Sequence, residues 1–92
     1  MASPAEIAND MEAHAAYWAR RDRDIERACR DAARTIRSFL AGDNVDGRTY
    51  GGLHRRLLNL GSGSPDRIVK GYPNFERARD ALHQLRAEAR HA

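Results

Sequence analysis

The sequence predicts an all-α fold, and three observations predict it. Ala, Glu, Lys, Leu and Arg make up close to half of the 92 residues, a composition typical of long helices. Residues 5–41 contain no Gly or Pro, and their apolar positions recur near the 3.6-residue helical period. Helix-start chemistry stands ahead of several periodic stretches: Ser3-Pro4, Ser64-Pro65 and Asn74.

The first element follows from Ser3. Its hydroxyl can cap, Pro4 suits the first helical position, and Glu6 completes the spacing of a capping box. Ile7, Met11, His14, Trp18, Ile25, Cys29, Ala32, Ile36 and Phe39 then share one face, and Gly42 suits the C-terminal stop. Read as one helix over about 4–41, this segment would run roughly 55 Å at the standard rise. The face passes through the charged run Arg20-Arg21-Asp22-Arg23-Asp24, so a bend or break near Asp22 is the alternative. With no Gly or Pro there to kink it, continuity is the expectation. Pairs such as Glu26/Arg30, Asp24/Arg27 and Asp31/Arg34 would support its solvent side.

Residues 42–47 read as a loop, with Asp46-Gly47 as turn chemistry. A calcium loop would need alternating ligands closed by a Glu, and no Glu lies between Glu26 and Glu76. A helix over about 49–60 would bury Leu53, Leu57, Leu58 and Leu60. A shorter one over about 65–71 is anchored by Ile68 and Val69 and must stop before Pro73. The last, about 74–90, carries the apolar seam Phe75, Ala78, Leu82, Leu85 and Ala89, with Arg86, Arg90 and His91 at its negative dipole end. The expected organisation is one small domain over 1–92: a long helix at 4–41 and a basic helical part from 48 onward.

Composition sets limits on what such a domain can do. Alanine supplies 16 of the 38 hydrophobic residues, so the core is thin, while a net charge of +3 is too small to keep the chain expanded. A large enzyme with its own buried cleft, a collagenous chain and a disulfide scaffold are excluded. The single Cys29 fits a reducing, cytoplasmic compartment. The N-terminus lacks a secretory pattern, and no apolar run is long enough to span a membrane. Fifteen Arg against one Lys suggest a GC-rich coding genome, as in bacteria or phages. A thin core beneath a long apolar face implies a homo-oligomer, most simply a dimer, or a protein partner that covers the face.

Catalytic and metal chemistry find little support. Asp10 and His14 stand one turn apart, but two ligands do not make a site, and His54, His83 and His91 share no ligand spacing. Cys29 sits mid-helix, away from anything that would activate a thiol. The run Gly61-Ser62-Gly63-Ser64 lacks the Gly-Lys-Ser/Thr ending of a nucleotide-binding loop and follows a helix. No catalytic residue, metal, cofactor or small-molecule substrate is expected.

Two surfaces remain as candidates. Ile7, Met11, His14, Trp18 and Ile25, with Tyr17 beside them, would form a partner or dimer patch, since Trp, Tyr and Met favour such contacts. On this reading the chain is a non-enzymatic adaptor, assembly factor or inhibitor. Residues 48–79 hold seven basic against two acidic residues and resemble a helix-turn-helix layout, which makes a small DNA-binding regulator the alternative. Arg48, Arg55, Arg56 and Arg77 would supply charge to it. Ser64, Arg67 and Lys70 would reach the DNA from the short helix.

Overall fold

Four helices and no strand make up the described residues, which in this computed structural model are 3–61 and 73–91. They are α1 (Pro4–Trp18), α2 (Arg23–Leu40), α3 (Gly47–Gly61) and α4 (Phe75–His91). The helix expected over 65–71 lies outside the described residues, as do Ser64, Arg67 and Lys70.

The first helix is not continuous. The Trp18 carbonyl accepts from both the Arg21 and Asp22 N–H groups, at 2.9 and 3.0 Å, which closes a turn. Asp22 is extended (φ −154°, ψ 110°), and its carboxylate accepts from the N–H groups of Asp24 and Ile25 at 3.0 and 3.3 Å. It is thus the N-cap of α2, satisfying donors that a new helix leaves open, with Asp24 and Glu26 favourably placed in the first turn. The charged run at 20–24 that seemed to interrupt an apolar face is the exposed reversal between two helices. The 55 Å rod is replaced by an antiparallel hairpin in a molecule 41 Å in its longest dimension.

That hairpin is the most extensive helix pair. Arg37, late in α2, donates to Glu12 Oε2 at 2.6 Å and Asn9 Oδ1 at 2.9 Å on α1. Folding the face back on itself buries Ile7, Ala8, Met11 and Ala15 against Ile25, Ala28, Cys29, Ala32, Ala33 and Ile36. On α2 the Glu26–Arg30 and Asp31–Arg34 pairs form, at 3.0 and 3.8 Å.

α2 ends as its glycine requires. Gly42 takes φ +81°, its N–H reaches the Phe39 carbonyl at 3.1 Å, and the Asp43 N–H reaches the Ser38 carbonyl at 2.9 Å. Both bonds belong to a Schellman stop, in which a left-handed residue satisfies the last carbonyls. Asp46, expected in a turn, caps α3: its carboxylate accepts from the Thr49 N–H at 2.7 Å and the Thr49 hydroxyl at 3.0 Å. α3 therefore begins two residues before Thr49. The Asn74 side chain accepts from the Arg77 N–H at 3.0 Å and starts α4 as expected. Ser3 likewise accepts from the Glu6 N–H, at 3.2 Å.

α3 runs antiparallel to α2, with Arg56 paired to Asp31 at 2.7 Å and the rings of Phe39 and Tyr50 6.4 Å apart. α4 returns along α3 and also packs on α1 and α2, burying Phe75, Ala78, Ala81, Leu82 and Leu85. Among the described residues α1 and α3 do not touch, so α3 is a flanking helix with a free side. Two apolar expectations fail. Leu58 is 41 % exposed, because one residue along a helix turns it about 100° from the buried Leu57. Ala89 is exposed near the end of α4, beyond the buried seam. Each large side chain in the interior contributes about 1.5–3 kcal/mol by leaving water. Among the described residues, seven of the eighteen that form the core are alanine.

Candidate functional site

The expected partner patch does not lie on the surface. Ile7, Met11 and Ile25 are 5 %, 2 % and 2 % exposed, inside the core of one chain. His14 and Trp18 are half-buried, with Trp18 packed against that core. The inference of self-association from an uncovered apolar face loses its premise, because α2 and α4 cover the face. What remains outside is Tyr17, 48 % exposed, edge-on to Trp18 at 5.4 Å. The Arg21 guanidinium lies 4.2 Å from the Tyr17 ring centroid and donates to the Tyr17 carbonyl at 2.8 Å.

The basic residues are divided by their neighbours. Arg56 is held by Asp31, facing α2, and Arg77 is exposed on the first turn of α4. Arg48 and Arg55 are exposed on α3, and neither is held in an ion pair among the described residues. They stand two turns apart on the side opposite Tyr50, Leu53 and Leu57, about 10 Å apart along the axis at the standard rise. No carboxylate occurs anywhere on α3.

Between these arginines lie Gly51 and Gly52. Both are helical, both are exposed, and a Cβ on either would meet no atom within 4 Å among the described residues. Packing among the described residues therefore does not require them, although each costs an exposed helix about 1 kcal/mol relative to Ala. Among the described residues, the outer side of α3 between Arg48 and Arg55 is a bare strip of backbone with a guanidinium at either end.

At the N-terminal end of α3 this strip meets a cleft of about 360 Å³. Phe39 and Val45 form its apolar wall; Asn44, Gly47, Arg86 and Arg90 supply polar edges. The Arg86 guanidinium lies 4.4 Å from the Tyr50 ring centroid, and Tyr50 in turn stacks on His54 at 6.0 Å. Asp46 borders the cleft, and the Thr49 backbone N–H, then the Thr49 hydroxyl, hold its carboxyl below the usual value. Arg86 and Arg90 are legible in the sequence only as cations at a helix end. Nothing local shows that the chain reversal between α3 and α4 sets them beside Gly47.

Elsewhere, Arg30, Arg34 and Arg37 line a groove of about 470 Å³ on α2, but Glu26, Asp31 and Glu12 already engage all three. Arg37, by hydrogen bond and then by charge, lowers the Glu12 pKa. Cys29 is buried, and desolvation pushes its thiol up to about 12. Among the described residues no three His, Cys, Asp or Glu side chains converge, and no helix is long and apolar enough to cross a membrane. No protein-family model, curated protein or solved structure matches the chain.

Proposed function

We propose that the chain is a non-enzymatic binding protein that lays the outer side of α3 along the phosphate backbone of duplex DNA. The observation that carries this reading is the acid-free face of α3, where the exposed Arg48 and Arg55 flank a glycine pair that packing among the described residues does not require. Phosphate contacts of this kind position a protein on a duplex, and base readout falls to other residues. In the helix-turn-helix layout, a helix in the place of α3 braces against the backbone and the next helix reads the groove. Ser64, Arg67 and Lys70, the expected readers, lie outside the described residues.

The test is fluorescence anisotropy of a labelled random duplex, titrated with protein at several salt concentrations. Affinity should fall linearly on a log–log scale, with a slope near −0.9 for each phosphate neutralised. Arg48→Gln/Arg55→Gln should weaken binding and make that slope shallower by about 2, with the circular dichroism spectrum unchanged. Binding that is absent, or indifferent to both arginines, refutes the reading.

The exposed Tyr17–Arg21 cluster against Trp18 favours a second reading, docking of a protein partner or a second copy at the α1–α2 turn. Trp, Tyr and Arg dominate the energetics of protein interfaces. On this reading sedimentation gives a mass above one chain, or a co-purifying partner is retained, and Tyr17→Ala loosens the complex. A lone monomer indifferent to Tyr17→Ala would exclude it.

A further inference from the structure

The geometry points to the cleft between Arg86, Arg90 and Gly47 as the anchor for one backbone phosphate of the bound duplex. This inference rests on the duplex-binding reading of α3 and adds to it a site on a second helix.

Three features carry it. First, the cleft is a cavity lined by both Arg86 and Arg90, and neither is in an ion pair among the described residues. Second, Arg86 is half-buried and already oriented. Its flat face lies over Tyr50, and its Nη2 is 3.7 Å from where a Gly47 Cβ would stand. A guanidinium stacked on a ring keeps its hydrogen-bonding edge free and gives up less freedom when it takes a phosphate. Third, Gly47 on the cleft wall directly precedes Arg48, so the cleft adjoins the first turn of α3.

The counter-charge is accounted for. Among the described residues Asp46 is the only carboxylate on the cleft wall; it stays ionised, with its oxygens held by Thr49 and its charge also facing Arg48. One anionic group remains favourable against two cations, with the positive end of the α3 dipole adding to them. The apolar wall of Phe39 and Val45 suits the sugar edge next to a phosphate and gives a free, fully hydrated anion little to contact.

The experiment compares three proteins on the same duplex: wild type, Arg48→Gln/Arg55→Gln and Arg86→Gln/Arg90→Gln. Arg90→Gln alone serves as a further variant, because among the described residues Arg90 makes no ion pair or ring contact whose loss could unfold the chain. The expected result is that the Arg86/Arg90 double variant loses affinity severalfold and its salt slope becomes shallower by about 2, with Arg90→Gln showing about half that change in slope. If the Arg48/Arg55 pair weakens binding while the Arg86/Arg90 pair and Arg90→Gln do not, the anchor is overturned and the α3 reading stands. If the wild type binds no duplex, both fail. A parallel titration with inorganic phosphate, followed by chemical shifts of Gly47 and Arg90, separates the sources. Saturation by free phosphate without duplex binding would overturn the backbone assignment.

Discussion

Replacing Gly51 and Gly52 by alanine should make this protein more stable, and the size of the gain can be worked out from α3. Both positions are helical with φ in the ordinary negative range, and a methyl group at either has open space around it among the described residues. The native state therefore accepts the change without strain, while the unfolded chain loses some of its excess freedom. At about 0.8–1 kcal/mol for each glycine in an exposed helix interior, the double variant gains about 2 kcal/mol. For a domain of this size each kcal/mol moves the melting temperature by about 4–8 °C, so Gly51→Ala/Gly52→Ala should melt at least roughly 8 °C higher. Thermal unfolding followed at 222 nm gives the shift. Urea titration should show a raised midpoint with an unchanged slope, the mark of altered stability without altered compactness. The same variant should bind duplex DNA more weakly, since two methyl groups hold the backbone of α3 away from the phosphates. An unchanged or lowered melting temperature would refute the claim that this side of α3 is open. A higher melting temperature with unaltered duplex affinity would remove the glycines from the binding surface.

Three further outcomes are expected. Asp22→Ala removes the carboxylate that accepts from the Asp24 and Ile25 N–H groups and should cost about 1 kcal/mol in urea, whereas Asp22→Asn keeps the cap and most of the stability; equal losses would argue against capping. Glu12 and Asp46 both titrate lower in the folded chain than their ordinary 4.5 and 3.8, so on acidification the unfolded chain binds protons first. Their stabilisation is complete above about pH 5 and is lost as the pH falls through the carboxylate range; Glu12→Gln/Asp46→Asn should flatten that part of the urea-midpoint profile, and an unaltered profile would discount both groups. Cys29, buried and with its thiol raised to about 12, should resist alkylation at pH 8 in the native protein and react fully in denaturant; rapid native alkylation would mean that the interior opens.

Helix ends were legible wherever the signal is local. Ser3, Asn74 and Gly42 each act within four residues of themselves, so their chemistry can be read without knowing the fold. The break at Asp22 stands in the sequence only as the alternative to a continuous helix, for a physical reason. Trp18 and Ile25 are seven residues apart, so the apolar phase carries across the reversal as if the helix continued. The available signal was Asp22 followed by Asp24 and Glu26, an N-cap with an acidic first turn, hidden inside what looked like a solvated charge run. Continuity across this run makes a self-covering hairpin look like a rod in need of a partner and puts Ile7, Met11 and Ile25 on a surface they do not occupy. Of the candidate site, the charge on Arg48 and Arg55 was visible in the sequence. Which arginines would be taken up by a neighbour, as Arg56 is by Asp31, depends on how helices 25 residues apart are set together. The cleft at Gly47 depends in the same way on the return of α4.

The alanines of the interior bear on how this molecule comes apart. A methyl group has no alternative rotamers, so ordering it takes no side-chain entropy from the chain, unlike Leu or Met. In the α1–α2 seam Ala8, Ala15, Ala28, Ala32 and Ala33 stand among Ile7, Met11, Ile25 and Ile36, so about half of its side chains have nothing to reorder. Such a seam leaves few half-loosened arrangements in which side chains churn while the helices stay together. The hairpin should therefore part with few intermediate steps.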